Sequence, residues 1–195
     1  MKDSVSGFQK NRWLSSLEEF RSLRTVTFCG VMCALSIILS TVASIRIGPY
    51  VKIGLSGLPN QIVDFMYGPA AGAIFSGALE IIKYVLKPDG PYFFGFTLSS
   101  VIAGAIYGSI LYRRPLTIWR VLAAQVLVKA VVNLGLNTLW LVILYHKAVW
   151  VIFPARLTTN LIRLPGDVIV MYLMLKAVER TILPLFASRR GSAAV

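Results

Sequence analysis

Runs of apolar residues long enough to enter a bilayer recur along the chain, separated by short stretches of Gly, Pro and cations. The first covers Val26 to Ile45. Its Gly30-x-x-x-Ala34 and Ser36-x-x-x-Ser40-x-x-x-Ser44 spacings place small residues where another helix can approach closely. Gln61 to Tyr67 starts a second, short helix that Gly68-Pro69 interrupts, and a third runs from Ala70 to about Leu86. Lys87-Pro-Asp-Gly-Pro91 is a turn by composition. The fourth helix, about Phe96 to Tyr112, carries Ser100-x-x-x-Gly104-x-x-x-Gly108, again a close-packing pattern. After Arg113-Arg114-Pro115, a fifth segment runs from Ile118 to about Tyr145. A sixth covers about Thr159 to Leu185, with a bend or break expected near Pro165-Gly166. The pattern predicts an all-α integral membrane protein, a bundle of about six transmembrane helices with no soluble domain. Residues 1–24 form an N-terminal cytoplasmic segment, 25–187 the membrane domain and 188–195 a cytoplasmic tail.

One stretch breaks this rhythm. Between Arg46 and Asp64, Gly48-Pro49, Gly54, Gly57 and Pro59 recur every few residues and exclude a continuous helix. Apolar residues between them give the stretch a buried look, while Arg46, Lys52, Asn60, Gln61 and Asp64 supply hydrogen-bonding groups. Irregular backbone beside a bilayer is tolerated where protein buries it or where it lines a wet cavity. The stretch is expected to be the lid and wall of a ligand pocket.

Composition agrees with the pattern. Of the 195 residues 56% are hydrophobic, and the mean hydropathy is +0.72, well above a soluble domain. The net charge of +12 raises the question of nucleic acid, but the cations are scattered among apolar segments and form no aromatic-interleaved basic domain. They read as membrane flanks. Arg21, Arg24, Arg113, Arg114, Arg120, Arg180, Arg189 and Arg190 fall on one side of a six-span protein, which makes that side and both termini cytoplasmic. The opposite side holds the Arg46–Asp64 stretch, the Lys87–Pro91 turn and a loop from His146 to Arg156. Lys52, Lys87, Lys147 and Arg156 there exceed what the charge rule prefers, and an anionic substrate arriving from outside accounts for them. The N-terminus is too long and too acidic for a signal n-region, so no cleavage is expected. Cys29 and Cys33, the only cysteines, sit i,i+4 in the first span as packing residues.

Polar residues inside the spans mark candidate chemistry. Gln125, Lys129, Asn133 and Asn137 recur every fourth position, with Trp140 three further on, so one helix carries a continuous polar stripe. An ammonium and three amides facing lipid are costly, so the stripe faces protein or water. Gln125 and Lys129 suit either interhelical hydrogen bonds or a ligand. Asn133, Asn137 and Trp140 lie nearer the outer side, where a planar heterocycle can stack and hydrogen-bond. On the third helix Glu80, Lys83, Tyr84 and Lys87 share a related face. A carboxylate suits a donor-rich heterocycle edge and ammonium groups suit a carboxylate, although Glu80 and Lys83 can also neutralise each other. On the sixth, Arg163 and Asp167 at i,i+4 are expected to pair. Arg156, with Asn160 one turn on, has no local acid and is the better holder of an anion.

Absences narrow the mechanism. The chain has no Gly-x-x-x-x-Gly-Lys-Ser/Thr phosphate loop, no set of residues with metal-ligand spacing and a single histidine, His146. It contains no convincing internal repeat of the kind found in many secondary transporters.

Residues 47–64, Ile-Gly-Pro-Tyr-Val-Lys-Ile-Gly-x-Ser-x-Leu-Pro-Asn-Gln-Ile-Val-Asp, are followed by Phe-Met-Tyr-Gly-Pro69. Together with Lys87-Pro-Asp-Gly-Pro-Tyr-Phe-Phe-Gly-Phe-Thr-Leu98, Asn133-Leu-Gly-Leu-Asn-Thr-Leu-Trp-Leu141, and Arg156 followed by Asn160, this sequence resembles the folate-specific substrate-binding (S) component of energy-coupling factor (ECF) transporters. The likeness runs from about Arg24 to Arg180. It implies a six-helix bundle in a prokaryotic cell membrane that captures folate at the outer face, is not an enzyme and holds no cofactor of its own. Its implied partners are a membrane coupling protein and two cytoplasmic ABC-type ATPases that use ATP and Mg. Family members dock through an Ala-x-x-x-Ala-like motif on the first helix, and Gly30-x-x-x-Ala34 stands at the matching place. The pocket residues then expected are Arg46, Lys52, Asp64, Glu80, Lys83, Tyr84, Lys87, Asn133, Asn137, Trp140, Arg156 and Asn160. An S component for riboflavin, thiamine or a pantothenate-like acid would share the architecture. A membrane enzyme or a self-sufficient secondary transporter is a different class, and transport by this chain alone under an ion gradient would reveal the latter.

Overall fold

Gly68 sets the plan of the bundle. Its backbone stands at φ 86, ψ −170, outside the helical region and unfavourable for any residue with a Cβ, and Pro69 follows without an N–H to donate. The break is a fold-back. The Asn60 amide donates to Ser76 Oγ at 3.1 Å, across sixteen residues that a continuous helix would hold about 24 Å apart. A Cβ at Gly72 would likewise lie 2.1 Å from Asp64 Oδ1. Residues 58–67 and 69–86 are therefore two limbs packed side by side.

The computed structural model describes residues 13, 16, 22–42, 44–47, 51–54, 56–86, 88, 92–145 and 149–191; of these, the side chains of 44–47, 51–54, 145, 149–152, 155 and 182–191 lie outside the description. The elements are α1 (Leu23–Val42), strands β1 (Ser44–Ile47) and β2 (Val51–Gly54), and α2 (Leu58–Leu86), which contains both limbs. They are followed by α3 (Phe94–Leu111), α4 (Ile118–Val128), a π-helical segment (Lys129–Leu136), α5 (Asn137–Tyr145) and α6 (Val149–Gly191).

The second limb of α2 lies against α3 through small residues. A Cβ at Gly104 would lie 2.7 Å from the Gly72 carbonyl and from Ser76 Oγ, and one at Gly108 would lie 2.5 Å from Pro69. The Ser100-x-x-x-Gly104-x-x-x-Gly108 pattern is thus a packing face, as expected. Around this seam Val63, Ala71, Val121, Ala124, Met171 and Leu175 are wholly buried and join α2, α3, α4 and α6 into one core. Cys29 is buried in the same core, and both cysteines are free thiols. Val26, Val31, Ile38 and Val42 on α1 are exposed, an apolar face of the kind that lipid covers.

Among the described residues four helices are long and apolar enough to cross a membrane: Leu23–Val42, Leu58–Leu86, Phe94–Leu111 and Ile118–Leu144. The fold is helical and of membrane type. The 43-residue α6 is about 64 Å long, but Asn160, Arg163 and Asp167 dilute its apolar character and it is not among the four.

Three expectations about local structure change. Ser44 to Gly54 is an antiparallel two-stranded hairpin, with Arg46 opposite Lys52 and Ile45 opposite Ile53. β-Branched residues on both strands favour that pairing, which satisfies backbone groups that an irregular loop would leave open. Helix α2 begins at Leu58, because Pro59 falls in its first turn, where a missing N–H costs nothing. Val149 to Arg156, expected as loop, is the start of α6, and the helix runs on through Pro165-Gly166. A membrane helix tolerates proline where side chains and neighbouring helices satisfy the freed backbone groups.

Candidate functional site

The polar stripe divides into scaffold and site. Near the Gly68 end of the bundle the Tyr107 hydroxyl donates to Gln125 Oε1 at 3.0 Å, and the Gln125 amide donates to Met171 Sδ at 3.1 Å. Lys129 Nζ donates to Asp167 Oδ2 at 2.7 Å and to the Asn160 carbonyl at 3.2 Å. Gln125 and Lys129 therefore fasten α4 and the π segment to α3 and α6. The expected Arg163–Asp167 pair is present at 3.8 Å, and Lys129, closer and more buried, is a second partner of the same carboxylate. Lys129 is almost fully buried, so its ammonium takes the nearby carboxylate in place of water.

Beyond this ion pair the chain winds as a π-helix, Lys129 to Leu136, a geometry that is rare and frequent at functional sites. Its wider turn turns the Asn133 carbonyl into a shared acceptor: Arg156 Nη1 donates to it at 3.3 Å and Thr138 Oγ1 at 3.4 Å. Asn137 Nδ2 donates to Asn133 Oδ1 at 3.4 Å, while Asn137 Oδ1 is buried and has no partner among the described residues. Asn160 donates to the Arg156 carbonyl at 2.9 Å. Asn133, Asn137, Arg156 and Asn160 thus form one half-buried group. The guanidinium has one hydrogen bond among the described residues, which leaves most of its five donors for another acceptor.

Toward the hairpin end the polar group meets aromatic rings. Trp140 Nε1 donates to Ser99 Oγ at 3.0 Å, and the Phe93 ring lies 5.5 Å from Trp140, centroid to centroid, at 52°. Gly95 makes this possible, since a Cβ there would lie 2.4 Å from Phe93 and 2.6 Å from Trp140. On the adjoining side Tyr84 and Tyr92 lie 4.9 Å apart, and the Tyr92 hydroxyl shares a 3.0 Å hydrogen bond with Thr97. Lys83 Nζ donates to the Ser56 carbonyl at 3.3 Å, and Ser36 Oγ donates to the same oxygen, which ties the residue after the hairpin to α1 and α2.

The remaining expected residues separate. Asp64 is wholly buried between the limbs of α2, and neither carboxylate oxygen has a hydrogen bond among the described residues. The side-chain oxygens of Asn60 and Gln61, one turn away, are in the same position. Glu80 is half-buried and has no ion pair among the described residues. Arg46 and Lys52 occupy opposing positions in the hairpin ladder, their side chains outside the description, and Lys87 lies outside it altogether. Gly30 and Ala34 are exposed on α1, and a Cβ at Gly30 would meet nothing within 4 Å. Sequence reasoning did not single out Phe93, Gly95 or Ser99. The signal was present in the aromatic run Tyr92-Phe-Phe-Gly-Phe96, whose glycine marks a close approach.

Rings, amides and one arginine with spare donors can hold a planar heterocycle that carries an anionic group. No group of His, Cys, Asp and Glu among the described residues could hold a metal. Residues 24–175 match the family described as "ECF transporter, substrate-specific component". The chain is 34% identical over 160 residues to the folate transporter FolT of Clostridium novyi, covering 82% of this chain and 92% of that one. It is 30% identical over 159 residues to FolT of Leuconostoc mesenteroides, covering 78% and 84%. Its fold is similar to a crystal structure of FolT bound with folic acid, with a TM-score of 0.72, 29% identity, and coverage of 78% of this chain and 91% of that one. The matched residues include every one of the half-buried site residues above, and the chain belongs to the substrate-specific components of ECF transporters.

Proposed function

We propose that this chain binds folate at the hairpin end of the bundle and delivers it into the cell as the substrate-specificity subunit of an ATP-driven ECF transporter. The observation that carries this reading is the likeness, over 78% of this chain, to a FolT bound with folic acid. The local chemistry supports it. Folate has a flat pterin, an aromatic middle and a glutamate tail. Trp140 and Phe93 suit stacking, Asn133 and Asn137 suit the heterocycle edge, and Arg156 suits a tail carboxylate. Asn160 holds the backbone of Arg156, and Lys83, Tyr84 and Glu80 belong to the walls, while Asp64, wholly buried between the limbs of α2, supports them from behind. Arg46 opposite Lys52 is a costly arrangement in a hairpin, and an anion bound near them, or near Lys87, offsets that cost.

In this reading the two limbs of α2 and the long α6 complete six crossings. The Gly68 end, with Arg113, Arg114 and Arg120 beside it, faces the cytoplasm, as do both termini. The exposed Gly30–Ala34 face docks the membrane coupling protein, and two cytoplasmic ABC-type ATPases with ATP and Mg supply the energy. The membrane is the cell membrane of a prokaryote. The test is competition: purified protein is offered folate, riboflavin, thiamine and pantothenate, and the retained compound is identified by absorbance and mass. Retention of folate alone supports the reading, and retention of another vitamin in its place overturns it.

A further inference from the structure

Asp64 is wholly buried between the limbs of α2, and neither carboxylate oxygen has a hydrogen bond or an ion pair among the described residues. A charge buried in this way is costly, and its neighbours on the first limb bring more of the same chemistry. Asn60 Oδ1 and Gln61 Oε1 are also buried and without a hydrogen bond among the described residues. At 3.6 residues per turn, positions 60, 61 and 64 fall within an arc of about 100°. Three side chains thus bring four bare acceptor oxygens to one patch of the limb.

The facing surface leaves room for them. Asn60 Nδ2 donates to Ser76 Oγ at 3.1 Å, so that hydroxyl borders the patch. A Cβ at Gly72, one turn before Ser76, would lie 2.1 Å from Asp64 Oδ1, and one at Gly104 on α3 would lie 2.7 Å from Ser76 Oγ. The nearby donor is already committed. Gln61 reaches the Tyr107 hydroxyl with its amide, and that hydroxyl donates to Gln125 Oε1 at 3.0 Å.

We infer that the patch is a binding site for a hard monovalent cation, sodium by its chemistry, held by Asp64 with Asn60, Gln61 and Ser76, and that the ion clamps the two limbs of α2 beside α3. Hard cations take carboxylate, carbonyl and hydroxyl oxygens. The single carboxylate sets the charge of the ion. A monovalent cation leaves the site neutral, whereas a divalent one would leave a net positive charge buried. Amide and hydroxyl oxygens supply most of the ligands, so the site is of a different kind from a metal centre of clustered His, Cys, Asp and Glu. It uses none of the half-buried group around Asn133 and stands independently of the folate reading.

The test uses the purified full chain in detergent, with radioactive sodium as the probe and choline chloride as the background salt. Sodium should bind saturably and raise the unfolding temperature, and magnesium at equal ionic strength should not. Asp64→Asn keeps the shape and removes the charge. It should lose at least tenfold in sodium affinity and melt at the same temperature in sodium and in choline. Gln61→Ala keeps the charge, removes one oxygen and should weaken sodium several-fold. Absence of saturable sodium binding to the unsubstituted protein overturns the inference, as it would if a proton alone occupied Asp64. Undiminished sodium affinity in Asp64→Asn overturns it as well, and if that variant does not fold, undiminished affinity in Gln61→Ala does so. An equal rise in unfolding temperature with magnesium overturns the monovalent assignment. Failure of the unsubstituted chain to bind folate strikes the functional reading alone, because sodium binding is read without folate.

Discussion

Lys129 Nζ lies 2.7 Å from Asp167 Oδ2, an ion pair that joins the first residue of the π segment to the middle of α6. It sits between the scaffold contacts of Gln125 and the half-buried group around Asn133, so it fixes where the second begins. Lys129→Ala should destabilise the protein by about 1–3 kcal/mol, below the ~3–5 kcal/mol of a fully buried pair because Asp167 is partly exposed and Arg163 stands near. Lys129→Met with Asp167→Leu should recover most of that loss, since removing both charges leaves neither unpaired. Thermal unfolding in detergent reads both. A double variant less stable than Lys129→Ala would contradict the assignment.

Arg156 and the amides should part company when ligand is dissected. Arg156→Ala should weaken folate more than a pterin fragment without glutamate, by about 1.5–3 kcal/mol or roughly ten- to a hundredfold. Asn133→Ala or Asn137→Ala should weaken both ligands alike. Equal losses for both ligands in Arg156→Ala would move the tail to Arg46, Lys52, Lys83 or Lys87.

Gly95 should be intolerant of even one methyl group. Its Cβ would overlap the Phe93 and Trp140 rings, so Gly95→Ala must displace the indole from Ser99. Folate affinity should fall about tenfold, roughly 1.4 kcal/mol, while the fold survives. Unchanged affinity, measured by quenching of tryptophan fluorescence, would remove the aromatic wall from the site.

Two glycines separate packing from docking. At Gly104 a Cβ meets the Gly72 backbone, and Gly104→Ala should cost about 1–3 kcal/mol of stability through overpacking. Gly30 has open space around it. Gly30→Leu should fold and bind folate normally yet lose uptake with the coupling module. Normal uptake by Gly30→Leu would refute the docking face.

Much of this was legible in the chain, and the reasons differ by element. The apolar runs, the interruption at Gly68-Pro69 and the packing face at Gly104 and Gly108 follow from local composition, which a single segment carries. The polar stripe showed that Gln125 to Trp140 faces inward, but not which partners it meets, because Lys129 and Asp167 are 38 residues apart and no local spacing reveals that pair. The π segment has no sequence signature. It arises where packing on α3 and α6 accommodates an extra residue per turn. The hairpin was hidden by Gly48-Pro49 and Gly54, which read as irregular backbone, although the strands Ser44–Ile47 and Val51–Gly54 lie between these breaks. The buried hydroxyl of Ser16, which accepts from the Ala71 N–H and donates to the Tyr67 carbonyl, was invisible, since nothing in its neighbourhood predicts that a distant helix will lack one hydrogen bond.

Calorimetric titration of the isolated, detergent-purified chain with folate, in the absence of nucleotide and partners, tests the central claim most directly. The account predicts saturable binding at one site with nanomolar-range affinity, weakened by Arg156→Ala and unaffected by added ATP. Properly folded protein that gives no folate heat and retains no folate at equilibrium would contradict it.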